Sequence, residues 1–307
     1  MTIKRIAISG SNGYLASNFI KYLKKKKIKT LKFSNSIKNR NYYYVNKNYS
    51  LLKKYIKKFI NVDFFFHFAY LNNQYEAELN YNQYVRKNLK IIKNIIEILP
   101  SSVTFVFISS VSVYGSSKKR FSEISALTPL SNYDKCKIIC EKFIKKHMNI
   151  KKRNYIILRI SNVYGYHKYN QFTRRGIIGY LLENILSNNN INLETSGNHL
   201  RDYLHISDFV LALFKLTKIS NKFNIYNVVS EKSYTLKYII KLIINLLKKN
   251  KKFKYKKEIK YNCGSIQSKT DTRNFLGTCK RFKNNFNWIP KIKIYNSLSE
   301  EIKNLKI

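Results

Sequence analysis

The chain has 307 residues, 44% of them hydrophobic, which is long enough to bury a sizeable core in one large domain or in a domain with a smaller partner. Its 59 Lys and Arg against 16 Asp and Glu give a formal charge of +43. The lysines run the whole length, outnumber the arginines and come with surpluses of Asn, Ile and Tyr, a drift typical of AT-rich coding sequence; with no recognisable nucleic-acid module, a nucleic-acid partner is not expected.

Other broad classes fall away as easily. Cys136, Cys140, Cys263 and Cys279 form no C-x-x-C pair and lack a His pair at ligand spacing, so no metal site and no disulfide framework is expected. The N-terminus enters a strand pattern at once, without an apolar signal segment, and a reduced, cytoplasmic protein is the expectation. The longest apolar stretch, Tyr238 to Leu247, is interrupted by Lys241 and too short to span a bilayer.

Through the first 165 residues strands and helices alternate. "RIAISG" reads as a strand, "LASNFIKYLKKKK" as a helix, "KTLKFS" as a strand and "YSLLKKYIKKFI" as a helix. "VDFFFHFA" reads as a buried strand, "YVRKNLKIIKNIIEIL" as a helix and "SVTFVFISS" as a strand. "NYDKCKIICEKFIKKH" is then a helix and "NYIILRISNVYG" one strand. Short apolar strands separated by helices imply βαβ units and a parallel sheet covered on both faces, so the fold class is α/β: a Rossmann-like, doubly wound sheet with a smaller C-terminal substrate domain. The first domain is expected over 1–165 plus about 203–228, the second over about 166–202 plus 229–307. After Gly165 the predicted elements are a helix near Gly176 to Ser187, a strand-like "NINLET", the run "GNHLRDYLHISDFVLALFKL", a helix at Leu236 to Lys248 and a last helix beyond Pro290.

The first strand-to-helix junction reads Gly10-Ser11-Asn12-Gly13-Tyr14-Leu15-Ala16. Gly10 permits a tight turn, Gly13 lets backbone approach a pyrophosphate and small Ala16 permits close helix packing. An ordinary glycine turn is the plainer alternative, and the βαβ context weighs against it. The second strand ends in Ser34 where dinucleotide enzymes commonly carry an acid, and Lys38 and Arg40 follow. NAD is the expected cofactor, and a ribose 2′-phosphate, hence NADP, stays open.

Six Tyr-x-x-x-Lys matches occur, starting at Tyr22, Tyr43, Tyr49, Tyr114, Tyr133 and Tyr164, where random scatter gives about four. The motif alone therefore decides nothing. Only Tyr133 opens the helix that follows the strand bearing Ser109 and Ser110. In order along the chain stand the turn at Gly10, "FHFA" at Phe66 to Ala69, Asn88, "SSVSVYG" at Ser109 to Gly115, Tyr133/Lys137, "RISNVYG" at Arg159 to Gly165 and "RDYLHISD" at Arg201 to Asp208. This series resembles the extended short-chain dehydrogenases/reductases acting on nucleotide sugars, the NAD-dependent epimerase/dehydratase family.

The resemblance implies a catalytic set of Ser110, Tyr133 and Lys137. Tyrosine with an ordinary pKa near 10 is poorly ionised at neutral pH, and the Lys137 ammonium would favour its phenolate. It implies cofactor contacts from Gly10, Asn12, Gly13, Tyr14, Leu15, Ser34, Phe68, Ala69, Asn88 and Lys137, the last to the nicotinamide ribose. Nucleotide-sugar contacts are implied for Ser110, Tyr133, Asn162 and Arg201, with Arg174 and Arg175 as further phosphate candidates and a surface ion pair with Asp202 as the alternative for Arg201. A homodimer through the helices carrying Asn88 and Tyr133 is also implied. Dehydratases of the family follow the hydroxyl residue with Asp-Glu; here Val111-Ser112 stands there, which leaves 4-epimerisation, favoured by the pattern from Asn162 to Ile178, or 4-keto reduction. A non-catalytic binding protein is the remote alternative, against which the intact Ser-Tyr-Lys set argues.

Overall fold

A computed structural model describes residues 5–37, 40–71, 74–117, 119–165, 176–193, 195–218, 223–249, 256–261 and 273–304. Its strands, in chain order, are β1 (Arg5–Ser9), β2 (Lys29–Ser34), β3 (Tyr43–Tyr44), β4 (Phe64–His67), β5 (Thr104–Ser110), β6 (Tyr155–Ile160), β7 (Asn162–Tyr164), β8 (Ile191–Leu193), β9 (Leu200–His205), β10 (Ile225–Val228), β11 (Ser233–Thr235) and β12 (Ile259–Tyr261). The helices are α1 (Tyr14–Lys25), α2 (Gln74–Leu79), α3 (Tyr81–Ile96), α4 (Asn132–Ile150), α5 (Ile177–Leu186), α6 (Ile206–Leu216), α7 (Leu236–Lys249), α8 (Lys280–Phe286) and α9 (Ile294–Lys303).

Seven strands form one sheet in the order β10-β6-β5-β4-β1-β2-β3, every neighbouring pair parallel. Side chains alternate across a strand, so the apolar runs feed both faces. Ile6, Ile8, Phe66, Val106, Ile108, Ile156 and Leu158 join one core with Phe19 of α1 and Phe209 and Leu213 of α6. Ala7, Phe33, Phe65, Phe105, Phe107 and Ile157 join a second core with Ile91 and Ile95 of α3 and Cys140 and Ile144 of α4. The order reverses beside β1, which lies between β2 and β4, and the crevice at the carboxyl ends of such strands is where doubly wound sheets bind ligands.

A third core joins Tyr164, Tyr203, Leu181, Ile185, Ile239, Ile243 and Leu298, contributed by β7, β9, α5, α7 and α9. Two small sheets border it, β11-β9-β7 and β12-β8.

One sequence expectation changes and two gain detail. The helix expected over "YSLLKKYIKKFI" is a 3-10 helix, Ser50–Phe59, entered through Tyr49 at φ +62°. The single strand expected across "NYIILRISNVYG" divides at Ser161, so that β6 belongs to the large sheet and β7 to a small one. The run from Asn198 splits into β9 and α6. Among the described residues no helix is long and apolar enough to cross a membrane.

Candidate active site

The β1–α1 turn is built around Gly10. Its φ is +62°, a region L side chains rarely enter, and a Cβ there would stand 2.8 Å from the backbone nitrogen of Ala69. Its N–H donates to Tyr49 Oη at 2.9 Å, and Gly13 N–H donates back to the Gly10 carbonyl at 2.9 Å. Gly13 caps α1 without any side-chain cap, and the first turn carries no acid. The helix thus presents backbone donors and the positive end of its dipole at the mouth of the turn.

A cavity of about 540 Å³ opens over this turn, the size of a small-molecule site. Gly10, Asn12, Gly13, Tyr14, Phe68 and Ala69 line it, together with Asn35, Ser36, Lys47, Tyr49, Tyr70, Leu71 and Ile91. A backbone cradle that a Cβ would fill, an uncapped helix start and a cavity of this size fit a dinucleotide, with Asn12, Gly13 and Tyr14 placed toward its phosphates.

Four expected cofactor residues lie off this wall. Ser34 is fully buried at the end of β2, where its Oγ accepts the N–H groups of Ser36 and Ile37, both at 3.2 Å; it shapes the loop while Asn35 and Ser36 line the cavity. Asn12 joins that loop, its Nδ2 donating to Ser36 Oγ at 2.6 Å. Leu15 packs against the core. Asn88 is buried, and its Oδ1 accepts the Leu71 N–H at 3.0 Å, fixing the loop after β4 from behind. Lys137 is treated below. Arg40 is exposed on a turn, and Lys38 lies outside the described residues.

Ser9 and His67 close the same loop. Ser9 Oγ sits 2.8 Å from His67 Nδ1 and accepts the Ala69 N–H at 3.4 Å. Burial, helped by the Lys137 charge, pushes His67 down to about 3, so the imidazole is neutral.

Ser110 ends β5 and caps the buried turn Val111–Tyr114, its Oγ accepting the Ser112 N–H at 3.1 Å. α4 starts in a capping box between Ser131 and Asp134, which sets Tyr133 in the first turn and Lys137 one turn on. Lys137 Nζ is buried and donates to the Ile108 carbonyl at 3.0 Å, two residues before Ser110, so the ammonium is anchored to the strand that carries the serine. It stands 5.7 Å from the Tyr133 ring centre and 3.4 Å from that of Tyr70. Burial pushes Lys137 down to about 8, against smaller opposing pulls from Cys140, Cys136 and Glu141. Tyr133 is held above its ordinary value by burial first and by Tyr84 and Asp134 next, while Arg273 pulls the other way. These influences hold the phenol in its protonated form near neutral pH.

Beneath this set lies a buried charge clamp. Arg159 of β6 binds Glu141 of α4, with Nη2 to Oε2 at 2.7 Å and Nε to both carboxylate oxygens at 3.2 Å. Ser109 Oγ donates to the same carboxylate, and Arg159 Nη1 donates to Tyr114 Oη at 2.9 Å. Tyr114 in turn donates to Asn227 of β10 at 2.8 Å. Tyr114, another Tyr-x-x-x-Lys candidate, thus belongs to the scaffold.

Asn162 lines a smaller cavity of about 120 Å³ with Tyr164, Gly165 and Tyr203 and donates to the Asp202 carbonyl at 3.2 Å. Arg201 and Asp202 are neighbours on β9 and so point to opposite faces. Asp202 is buried and accepts from the N–H and Oγ of Ser230, at 2.9 and 3.0 Å. Arg201 shares its strand face with Tyr203 but does not line that cavity. Arg174 and Arg175 lie outside the described residues. Tyr70, Lys47 and Arg273 were not foreseen. Arg273 pairs with Asp134 beside Tyr133, a contact across 139 positions that no local motif carries.

The model of the NAD dependent epimerase/dehydratase family matches residues 6–228, which takes in the Gly10 turn, Ser110, Tyr133, Lys137 and Asn162. The chain belongs to the NAD-dependent epimerase/dehydratase family. Within it, the chain is 30% identical over 225 residues to a dTDP-4-dehydro-6-deoxyglucose reductase of Escherichia coli, covering 72% of this chain and 67% of that protein. It is 28% identical over 239 residues to an ADP-L-glycero-D-manno-heptose-6-epimerase of Brachyspira hyodysenteriae, covering 72% and 74%. Its fold is that of the UDP-glucose 4-epimerase of Thermotoga maritima solved with UDP-glucose, with a TM-score of 0.82, 21% identity and 97% of each chain covered. Family membership makes this a nucleotide-sugar-modifying enzyme that uses NAD(P).

Proposed function

We propose that the chain reduces a 4-keto nucleotide sugar at C4 with NADPH. The observation that carries this reading is the wall of the cavity beyond β2. There the described lining residues are Asn12, Asn35, Ser36 and Lys47, with no carboxylate to accept hydroxyls of the adenosine ribose. A cation and three neutral polar side chains suit a 2′-phosphate instead. The 30% identity to a reductase of 4-keto sugars points the same way.

When bound, the dinucleotide supplies a hydride to the C4 carbon. The chain's own residues supply the rest. Tyr133, held protonated, gives its phenolic proton to the developing C4 alkoxide, so the ketone gains one hydride and one proton and becomes an alcohol. Lys137 stabilises the phenolate left behind until solvent reprotonates it. Ser110, at the end of β5, hydrogen-bonds the reacting oxygen. Val111 and Ser112 offer no carboxyl for an elimination, which argues against dehydration.

The second reading is the 4-epimerase, favoured by the sequence pattern from Asn162 to Ile178, whose residues 166–175 lie outside the described part. One experiment separates the two. Purified protein is denatured and the released nucleotide measured, then native protein is assayed with NADPH and a 4-keto nucleotide sugar. An empty protein that consumes NADPH only with the keto sugar supports the reductase. Stoichiometric NAD(H) released on denaturation, with C4 epimers interconverted without supplement, refutes it in favour of the epimerase.

A further inference from the structure

Tyr70, directly after "FHFA", lines the cavity on one side and closes over Lys137 on the other. Its ring centre lies 3.4 Å from Lys137 Nζ and meets the Tyr133 ring edge-on, at 5.8 Å and 85°. Beyond it the Tyr70 hydroxyl is buried among Tyr84, Cys136 and Cys140. Lys137 is only 3% exposed. Its ammonium therefore meets a ring face where a ligand entering the cavity would have to reach it.

We infer that Tyr70 is a shutter over Lys137, standing where the nicotinamide ribose must lie and swinging aside when the dinucleotide binds. The inference rests on the cofactor reading above. The ammonium exchanges an aromatic face for ribose hydroxyls, so the open state is reachable. Binding is weakened by the fraction of molecules whose shutter is closed. Only the nicotinamide half bears this penalty, because it is the half that has to reach Lys137.

The test compares two ligands, NADPH and its fragment 2′-phospho-ADP-ribose, which lacks nicotinamide. Affinities of the wild-type chain, Tyr70→Ala and Tyr70→Phe are measured by calorimetry, with thermal melting alongside. The expected result is NADPH bound about tenfold more tightly by Tyr70→Ala, the worth of a partly desolvated cation–π contact, with the fragment unchanged and Tyr70→Phe behaving as wild type toward both. A second measurement is independent of binding: acylation of Lys137, followed by mass spectrometry in the free protein, should speed up several-fold in Tyr70→Ala. Equal NADPH affinities in wild type and Tyr70→Ala, an equal gain for the fragment, or unchanged Lys137 acylation in a folded Tyr70→Ala overturns the shutter. Failure of NADPH and NADH alike to bind any of the three proteins overturns the cofactor reading and the shutter together, whereas binding that ignores Tyr70 overturns the shutter alone.

Discussion

Removing Arg159 is the most demanding test of the scaffold. Its side chain is 4% exposed and that of Glu141 5%, so Arg159→Met strands a carboxylate that keeps only the Ser109 hydroxyl. Breaking a buried pair on one side costs about 3–5 kcal/mol, because the remaining charge has no solvent to turn to. Tyr114 Oη loses its guanidinium donor as well. The double variant Arg159→Met, Glu141→Leu removes both charges, and apolar pairs of similar volume are often neutral in such places, so it should lie within about 1 kcal/mol of wild type. Urea unfolding followed by fluorescence of Trp288, the one tryptophan and fully buried, measures all four corners of the cycle. A single variant losing under about 1 kcal/mol, or a double variant as unstable as the single, would refute the account of the clamp.

Tyr133→Phe should lower turnover by about 10²-fold to 10⁴-fold with the cofactor dissociation constant unchanged, read by steady-state kinetics and calorimetry. Tyr114→Phe should keep much of the activity yet lose about 1–3 kcal/mol of stability in urea, since Arg159 and Asn227 each lose a buried partner. Gly10→Ala should cost about 1–3 kcal/mol from its left-handed backbone and abolish dinucleotide binding, because the new methyl meets Ala69. Lys137 has a folded pKa of about 8 against an ordinary 10.5, so between these values the unfolded chain holds more protons and this group makes stability rise with pH. Lys137→Met should flatten that rise; an unchanged slope of unfolding free energy from pH 8 to 10.5 would show that the lysine is not buried as described.

The large sheet was legible because alternating apolar side chains on β1, β4, β5 and β6 serve two cores at once, which leaves runs such as "FFF" that few other structures need. The Gly10 turn and the Tyr133/Lys137 pair were legible because each is local, fixed within a turn and a helix. The division at Ser161 was not, since period-2 patterning states which residues share a face but never which sheet the strand joins. The helix at Ser50–Phe59 was legible but its 3-10 winding was not, because apolar residues three apart share a face in either kind of helix. Ser34 was read correctly as the end of β2, but whether its hydroxyl turns outward depends on the loop that folds over it. Tyr70 over Lys137 and Arg273 on Asp134 join segments far apart in the chain, and no short motif encodes such a meeting.

The division at Ser161 has a mechanical meaning. A single residue separates β6, whose Arg159 is locked into the rigid sheet, from β7, whose Asn162 faces the smaller cavity. Ser161 itself donates its N–H to the Val228 carbonyl of β10 at 3.3 Å, so the step from one sheet to the other is tied to the large sheet on both sides of the link. Asn162 therefore begins its strand directly off backbone that the large sheet holds in place.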